Sequence, residues 1–349
     1  MITYWQQEDG QFIKLKKEEI TTNKPLWIDV RNVTRDETTF IQDEYKIEQD
    51  HILDILDPDE LSRLEDGEGY ILTIVRVPIY DPQAETPYFT VPIGIIIKGK
   101  TIITICWTDC EVIKDFGSNR IKNIKLTDFP SFIVQIMNRA NLNFLRYLKE
   151  INRRSTSIQN EMREGIENRE IMLLLGLEKS LVYFSTSLKS NALLLQKMKS
   201  TKLIKFDEED IDFVEGVTID NRQAIEMADT YTDILFGVMD AFSSVTSNNL
   251  NIVMKKLAII NLVMMAPTFV TSFFGMNFKL PFETLPGYWP VIFATITCIV
   301  SVFICSWLLN FNKESESAIK KAKKLSRMQK KNVRNEKRRL KIQEKKLSK

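Results

Sequence analysis

Between residues 257 and 312 the chain almost stops carrying charge, and this interruption limits its fold more than any other feature. Leu257 to Phe278 is a window of 22 residues without Asp, Glu, Lys or Arg, and Thr284 to Asn312 is a second of 29, most apolar from Pro290 to Leu309. Across the whole chain 27% of residues are charged, so such gaps are not chance. A membrane-spanning helix needs roughly 20 apolar residues, because a rise of about 1.5 Å per residue has to cover a hydrocarbon core of about 30 Å. Both windows meet that length, and a buried core helix, the other reading of an apolar run, does not require it. Two spans are therefore expected, over 251–276 and 289–310.

The flanks set their orientation. Lys255 and Lys256 precede the first span, Lys313, Lys320, Lys321, Lys323 and Lys324 follow the second, and the connection holds only Lys279. Basic residues concentrate on the cytoplasmic side. Both termini are thus expected in the cytoplasm of a multi-pass protein of the plasma (inner) membrane. The link 277–288 is then all that faces outward, leaving no extracellular receptor domain. Tyr288, Trp289 and Trp307 sit where interfacial aromatic belts form. The N-terminus shows no basic segment followed by an apolar one, so no cleavable signal is expected.

Charge is also sorted along the chain. Residues 310–349 hold 16 basic and 4 acidic side chains, a balance of +12, so the overall +2 leaves −10 on the first 309 residues. The tail, 311–349, is helix-forming without a wide apolar stripe, and it suits anionic lipid head groups at about 1 kcal/mol per basic residue near the surface. Nucleic acid is not expected as a partner, because no aromatic side chains interleave the basic ones for base stacking.

Residues 1–130 read as a cytoplasmic α/β domain. Thr3–Leu15, Pro25–Val30, Tyr70–Val77 and Val91–Trp107 are strand-like, rich in Ile, Val and aromatics and bounded by Gly, Pro or Asp. Lys98-Gly99-Lys100 signals a hairpin. Residues 34–45 and 48–56 carry helical periodicity, and Thr34 with Glu37 forms a capping box. No proline occurs from Ser131 to Ala266, a run of 136 residues rich in Leu, Lys, Glu, Gln, Met and Ala. That composition predicts very long helices, over 131–168, 169–199 and from about Glu208 onward, with a turn at 202–207 capped by Asp207. Residues 131–250 then form a cytoplasmic helical hairpin and stalk. The third helix has no stop before the membrane; some 60 residues at the α-helical rise make about 90 Å.

Steps of three and four along this rod align Asp240, Ser244, Ser247, Asn251, Met254, Ala258, Asn261, Met265 and Thr268 on one face. Other registers carry Leu250, Ile252, Val253, Ile259, Ile260, Val263, Phe269 and Val270. A polar line within an apolar span turns toward a bundle interior or a water-filled path. Interhelical hydrogen bonding in a closed bundle is the alternative.

Enzymatic readings find little. One His (His51) and four Cys (Cys106, Cys110, Cys298, Cys305) leave few soft ligands, and neither Cys pair has redox spacing, so a reducing compartment is expected. G-x-x-x-x-G-K, G-x-S-x-G and H-E-x-x-H patterns are absent. A membrane-tethered scaffold would explain the helices but not Asn and Thr inside the span.

A resemblance sharpens the reading. Ser247-Asn248-Asn249-Leu250-Asn251-Ile252-Val253-Met254-Lys255-Lys256-Leu257, then Met264-Met265-Ala266-Pro267, then Gly275-Met276-Asn277 at the outer end of the first of two spans, together resemble the CorA family of magnesium channels. Trp27-Ile28-Asp29 and the order strand, helix, strand, long helix resemble its cytoplasmic domain. The resemblance implies a funnel-shaped homopentamer that passes hydrated Mg²⁺, with no organic cofactor. It implies a selectivity filter at Gly275, Met276 and Asn277, with Asn277 binding the ion, and a conduit lined by Asp240, Asn251, Met254, Leu257, Met265 and Thr268. Glu283 in the outer link would attract cations. Cytosolic Mg²⁺ would close the channel by bridging carboxylates between subunits, for which Glu65, Asp66, Glu68, Asp212 and Glu215 are the candidates. The sequence departs from the family pattern at Phe274, where Tyr is usual, at Phe282 before Glu283, and at Gly69 and Gly216, where acids are frequent. A zinc or cobalt/nickel transporter of the same superfamily is the rival; the zinc branch usually alters the middle of the triplet, which is intact here.

Overall fold

The computed structural model describes residues 1–21, 24–121, 124–164, 168–276, 288–289, 291–304 and 307. They divide into two compact units, Met1–Ala241 and Phe242–Lys349.

The first unit is built on a seven-stranded sheet in the order β2-β1-β3-β7-β6-β5-β4. Its strands are β1 (Ile2–Glu8), β2 (Gln11–Leu15), β3 (Leu26–Arg31), β4 (Arg63–Gly67), β5 (Tyr70–Tyr80), β6 (Tyr88–Lys98) and β7 (Thr101–Cys106). Only the β3–β7 pair is parallel. The central β5 and β6 are buried along almost their whole length, as expected for strands covered on both faces. On one face α1 (Arg35–Tyr45) and α2 (Gln49–Leu56) place Ile41, Ile52 and Ile55 against Ile28, Val30, Leu72, Ile74, Ile96, Ile103 and Ile105. On the other, Trp27 is fully buried among Trp5, Phe12, Phe116 and Phe132, with ring centroids 5.2–6.3 Å apart, and its Nε1 donates to Thr104 Oγ1.

The Thr34/Glu37 capping box forms, with each side chain reaching the other's backbone N–H. The stretch expected as one strand, 3–15, is instead a hairpin. Asp9 and Gly10 both have positive φ, 49° and 79°, which lets a two-residue turn match the strands' twist. Two elements were not anticipated: the charged edge strand β4 and the short helix α3 (Glu111–Gly117). An edge strand tolerates charge because one side of it is unpaired.

Three long helices follow, α4 (Phe129–Glu164), α5 (Asn168–Ser200) and α6 (Glu208–Phe274). Asp207 caps α6 through Asp210 N–H, 2.9 Å. By length and composition α5 could cross a membrane, but Leu174, Leu177, Leu181, Phe184, Leu188, Leu195 and Met198 are buried within the first unit. It is a core helix. The first turns of α6 bury Val214, Val217, Asn221, Ala224, Ala228 and Leu235, at the three- and four-residue steps of one helical face. Asn141 of α4 bonds that face through Val217 carbonyl and Asn221.

A polar seam fixes α5 on the sheet. Arg76 on β5 is 5% exposed, and its guanidinium donates to Pro58 O (2.8 Å), Glu60 O (2.6 Å), Thr90 O (3.0 Å), Thr90 Oγ1 (2.8 Å) and Ser187 Oγ (2.9 Å). Burial pulls its pKa down while Asp59 and Asp57 act the other way. Asn191 of α5 bonds both the N–H and the carbonyl of Arg76.

In the second unit the described part of the expected second span is α7 (Val291–Ile304). Cys298 Sγ of α7 lies 3.9 Å from Pro267 carbonyl on α6. Proline lacks the N–H that would bond Val263 carbonyl, yet α6 continues through it to Phe274.

Candidate functional site

Within the second unit, α6 has no buried face. Its most apolar 18-residue window is wholly unburied. Leu250, Val253, Leu257, Ile260, Leu262 and Phe269 are at least 50% exposed, and so are Met254 and Met265. Water does not sustain such a surface; it belongs in lipid or against further chains.

The polar line is present on this helix. Asn251, Met254, Asn261, Met265 and Thr268 are all exposed, and all lie within one helical sector. Leu257 sits at its edge, about 65° from the centre at 100° per residue. Thr268 Oγ1 donates its proton to Met264 carbonyl at 2.8 Å. The hydroxyl lone pairs are then free to accept, which suits the outward-pointing hydrogens of a cation's water shell. Asp240, in the first unit, is exposed on the same helix.

The helix closes at the triplet. Gly275 N–H reaches Thr271 O at 3.0 Å and Ser272 O at 3.2 Å, and Met276 N–H reaches Phe273 O at 3.4 Å. A Cβ on Gly275 would lie 3.3 Å from Thr271 carbonyl oxygen, so glycine lets the last turn tighten. Met276 is 58% exposed. Asn277, Glu283 and the basic tail 311–349 lie outside the described residues.

The acidic candidates are all in the first unit. Asp66 and Glu68, on and just after β4, and Asp212 and Glu215, on α6, are exposed, and no ion pair forms on them among the described residues. From Glu208 to Asp240 the chain has ten acidic residues and one basic, Arg222. Residues 208–240 of α6 therefore carry −9, against a net −10 for the first 309 residues. At the start of α6, burial first and then Asp128 and Asp207 hold the pKa of Asp210 above the usual carboxylate value. Among the described residues no three His, Cys, Asp or Glu side chains converge closely enough to hold a metal. A metal site using these carboxylates thus needs donors from elsewhere, and oxygen ligands of this kind fit Mg²⁺ chemically.

Glu65 differs from the other four. Its carboxylate meets Arg63 Nε at 3.0 Å and His51 Nε2 at 3.2 Å. His51 bridges Glu65 and the Tyr70 hydroxyl, which lies 2.6 Å from Nδ1. Asp29 of the Trp-Ile-Asp segment is structural. It is 1% exposed, paired with Arg31 at 3.0 Å, with Oδ1 unpartnered, and burial lifts its pKa to about 6 against the opposing pull of Arg31.

Comparison with known proteins gives consistent relatives. The family described as "CorA-like Mg2+ transporter protein" matches residues 22–324. The cobalt/magnesium transport protein CorA of Methanocaldococcus jannaschii is 27% identical over 310 residues, 85% of this chain and 95% of that protein. The complete structure of that organism's CorA magnesium transporter superposes with a TM-score of 0.73 at 25% identity, over 87% of this chain and 96% of that one. The cytoplasmic domain of ZntB from Vibrio parahaemolyticus shares the fold alone, with a TM-score of 0.55 at 12% identity, covering 70% of this chain and 98% of that one.

Proposed function

Because this chain belongs to the family of CorA-like Mg²⁺ transporter proteins, a family of divalent cation transporters and not of enzymes, we propose that it is a Mg²⁺ uptake channel. The observation that carries the reading is the line Asn251, Met254, Met265 and Thr268 on one uninterrupted helix that ends at Phe274, directly before Gly275 and Met276. Neutral oxygens suit Mg²⁺, which dehydrates reluctantly and is best held through its water shell.

In this reading five copies assemble around the first spans, with 251–276 lining the path, 289–310 facing lipid and both termini in the cytoplasm. A ring of Asn277 side chains, with Gly275, accepts from the ion's waters, and Glu283 raises the local cation concentration. A negative-inside potential contributes about 4.6 kcal/mol per divalent ion per 100 mV. Asp66, Glu68, Asp212 and Glu215 bind cytosolic Mg²⁺ between subunits and favour the closed state. The assembly reading is supported by the unburied apolar surface of α6.

The second reading is transport of cobalt, nickel or zinc. Cobalt is favoured by the name of the Methanocaldococcus relative. Ion flux into proteoliposomes under a set potential tests both readings. Mg²⁺ uptake is expected for the native protein and its loss for Asn277→Ala. Unchanged Mg²⁺ flux in the variant sinks the filter assignment, and Zn²⁺ or Co²⁺ flux without Mg²⁺ flux moves the protein to the second reading.

A further inference from the structure

The sheet of the first unit ends on two edge strands, β2 and β4, and each turns the backbone groups of alternate residues away from its neighbour. The Asp9-Gly10 turn closes on the pair Glu8–Gln11, so Gln11, Ile13 and Leu15 bond β1. Phe12 and Lys14, and Lys16 just past the strand, therefore point their N–H and C=O outward. The same count from the Glu68-Gly69 turn sends Asp66, Leu64 and Ser62 outward on the β4 side. Such a row of unpaired groups is a template for another chain.

Most of these groups are already met by side chains. Phe12 N–H donates to Asn119 Oδ1 at 2.7 Å, and Asn119 Nδ2 donates to Phe12 O at 3.1 Å, the two bonds that an added strand would make there. Asn119 follows α3 with φ at 54°, and its own N–H bonds Phe116 O at 3.0 Å, a left-handed backbone that Asn adopts more readily than most residues. Lys16 N–H meets the Glu19 carboxylate at 2.9 Å, and Lys16 O meets Glu19 N–H at 3.0 Å. On the far edge, α5 supplies Ser190 Oγ to Ser62 N–H at 2.7 Å and Lys197 Nζ to Leu64 O at 2.6 Å. Among the described residues, the outward groups left open are those of Lys14 and Asp66 and the N–H of Leu64, and the exposed Lys14 and Asp66 both carry charge.

We propose that Asn119 is a latch that closes the β2 edge against strand addition by a second copy of this chain, as α5 closes the β4 edge. Strand addition needs consecutive outward pairs, because each ordered residue of the incoming chain loses conformational entropy. With Phe12 and Lys16 taken, Lys14 alone remains, and its two bonds do not offset that loss.

Hydrogen exchange and light scattering of the purified full-length protein in detergent test the latch. Asn119→Gly keeps the left-handed backbone and removes the clamp. It is expected to speed exchange of the Phe12 amide roughly fivefold and to form species larger than the native assembly as concentration rises. Adding Lys14→Pro, which removes an outward donor and spares the ladder with β1, should abolish the larger species without restoring protection at Phe12. Native size in a folded Asn119→Gly overturns the inference, and so does association that Lys14→Pro leaves unchanged. If Asn119→Gly does not fold, Asn119→Asp decides. It keeps the acceptor for Phe12 N–H and sets a carboxylate oxygen against Phe12 O; larger species support the latch, and native size overturns it.

Discussion

Replacing Arg76 weighs hydrogen bonding against the cost of burying a charge. The side chain is nearly inaccessible and pairs with no carboxylate among the described residues; its donors are met by three backbone carbonyls and two hydroxyls. Arg76→Met keeps the stem and removes every donor. Thr90 and Ser187 can still bond each other, being 2.8 Å apart, so the stranded groups are the carbonyls of Pro58, Glu60 and Thr90. At about 1–3 kcal/mol each, their loss amounts to roughly 3–9 kcal/mol. Relief from desolvating the guanidinium returns several kcal/mol, leaving a net loss of about 2–4 kcal/mol. Arg76→Lys keeps the charge and three donors and should cost about half as much. The first unit has 241 residues, for which each kcal/mol moves Tm by about 2–4 °C. Arg76→Met should therefore unfold about 4–16 °C lower, followed by the tryptophan fluorescence of the full-length protein in detergent. A Met variant as stable as the native protein, or a Lys variant less stable than Met, would refute the reasoning by showing that desolvation outweighs the bonds.

Two further outcomes are expected. The pKa of Asp29, about 6 in the fold, lies above its unfolded value of about 3.9. The folded state therefore binds the extra proton, and the penalty for ionising Asp29 is absent below about pH 4 and complete above about pH 6. Denaturation of native protein and Asp29→Asn across that window should show the native protein losing up to about 3 kcal/mol relative to the variant as pH rises; parallel curves would exclude Asp29 as the cause. Deleting residues 320–349 should weaken binding to liposomes containing anionic lipid and leave binding to neutral liposomes unaltered. Equal affinity of the shortened protein for the anionic liposomes would dismiss the tail as a lipid contact.

Much of the helical order was legible because its causes are local. The missing prolines announced α4, α5 and α6, Thr34 with Glu37 fixed the start of α1, and Asp207 fixed that of α6. Asp9-Gly10 carried a signal for a two-residue turn, but residues 3–15 read as one strand across it, and the structure shows the hairpin. Strand β4, Arg-Leu-Glu-Asp-Gly, had no such signal. Its residues disfavour strands, and it exists because β5 offers a backbone edge. Arg76 carried no signal either, because its partners lie 14 to 111 residues away along the chain.

The sequence by itself determined where this protein can meet lipid and which face of that helix is polar, because charge density and helical period are properties of consecutive residues. Tertiary structure decided which charges are available. It took Glu65 out of the exposed acidic set by seating Arg63 and His51 against it, and it turned the apolar α5 into a core helix. Availability depends on what lies within a few ångströms across the fold, and neighbours of that kind are chosen by sheet pairing and helix packing rather than by position along the chain.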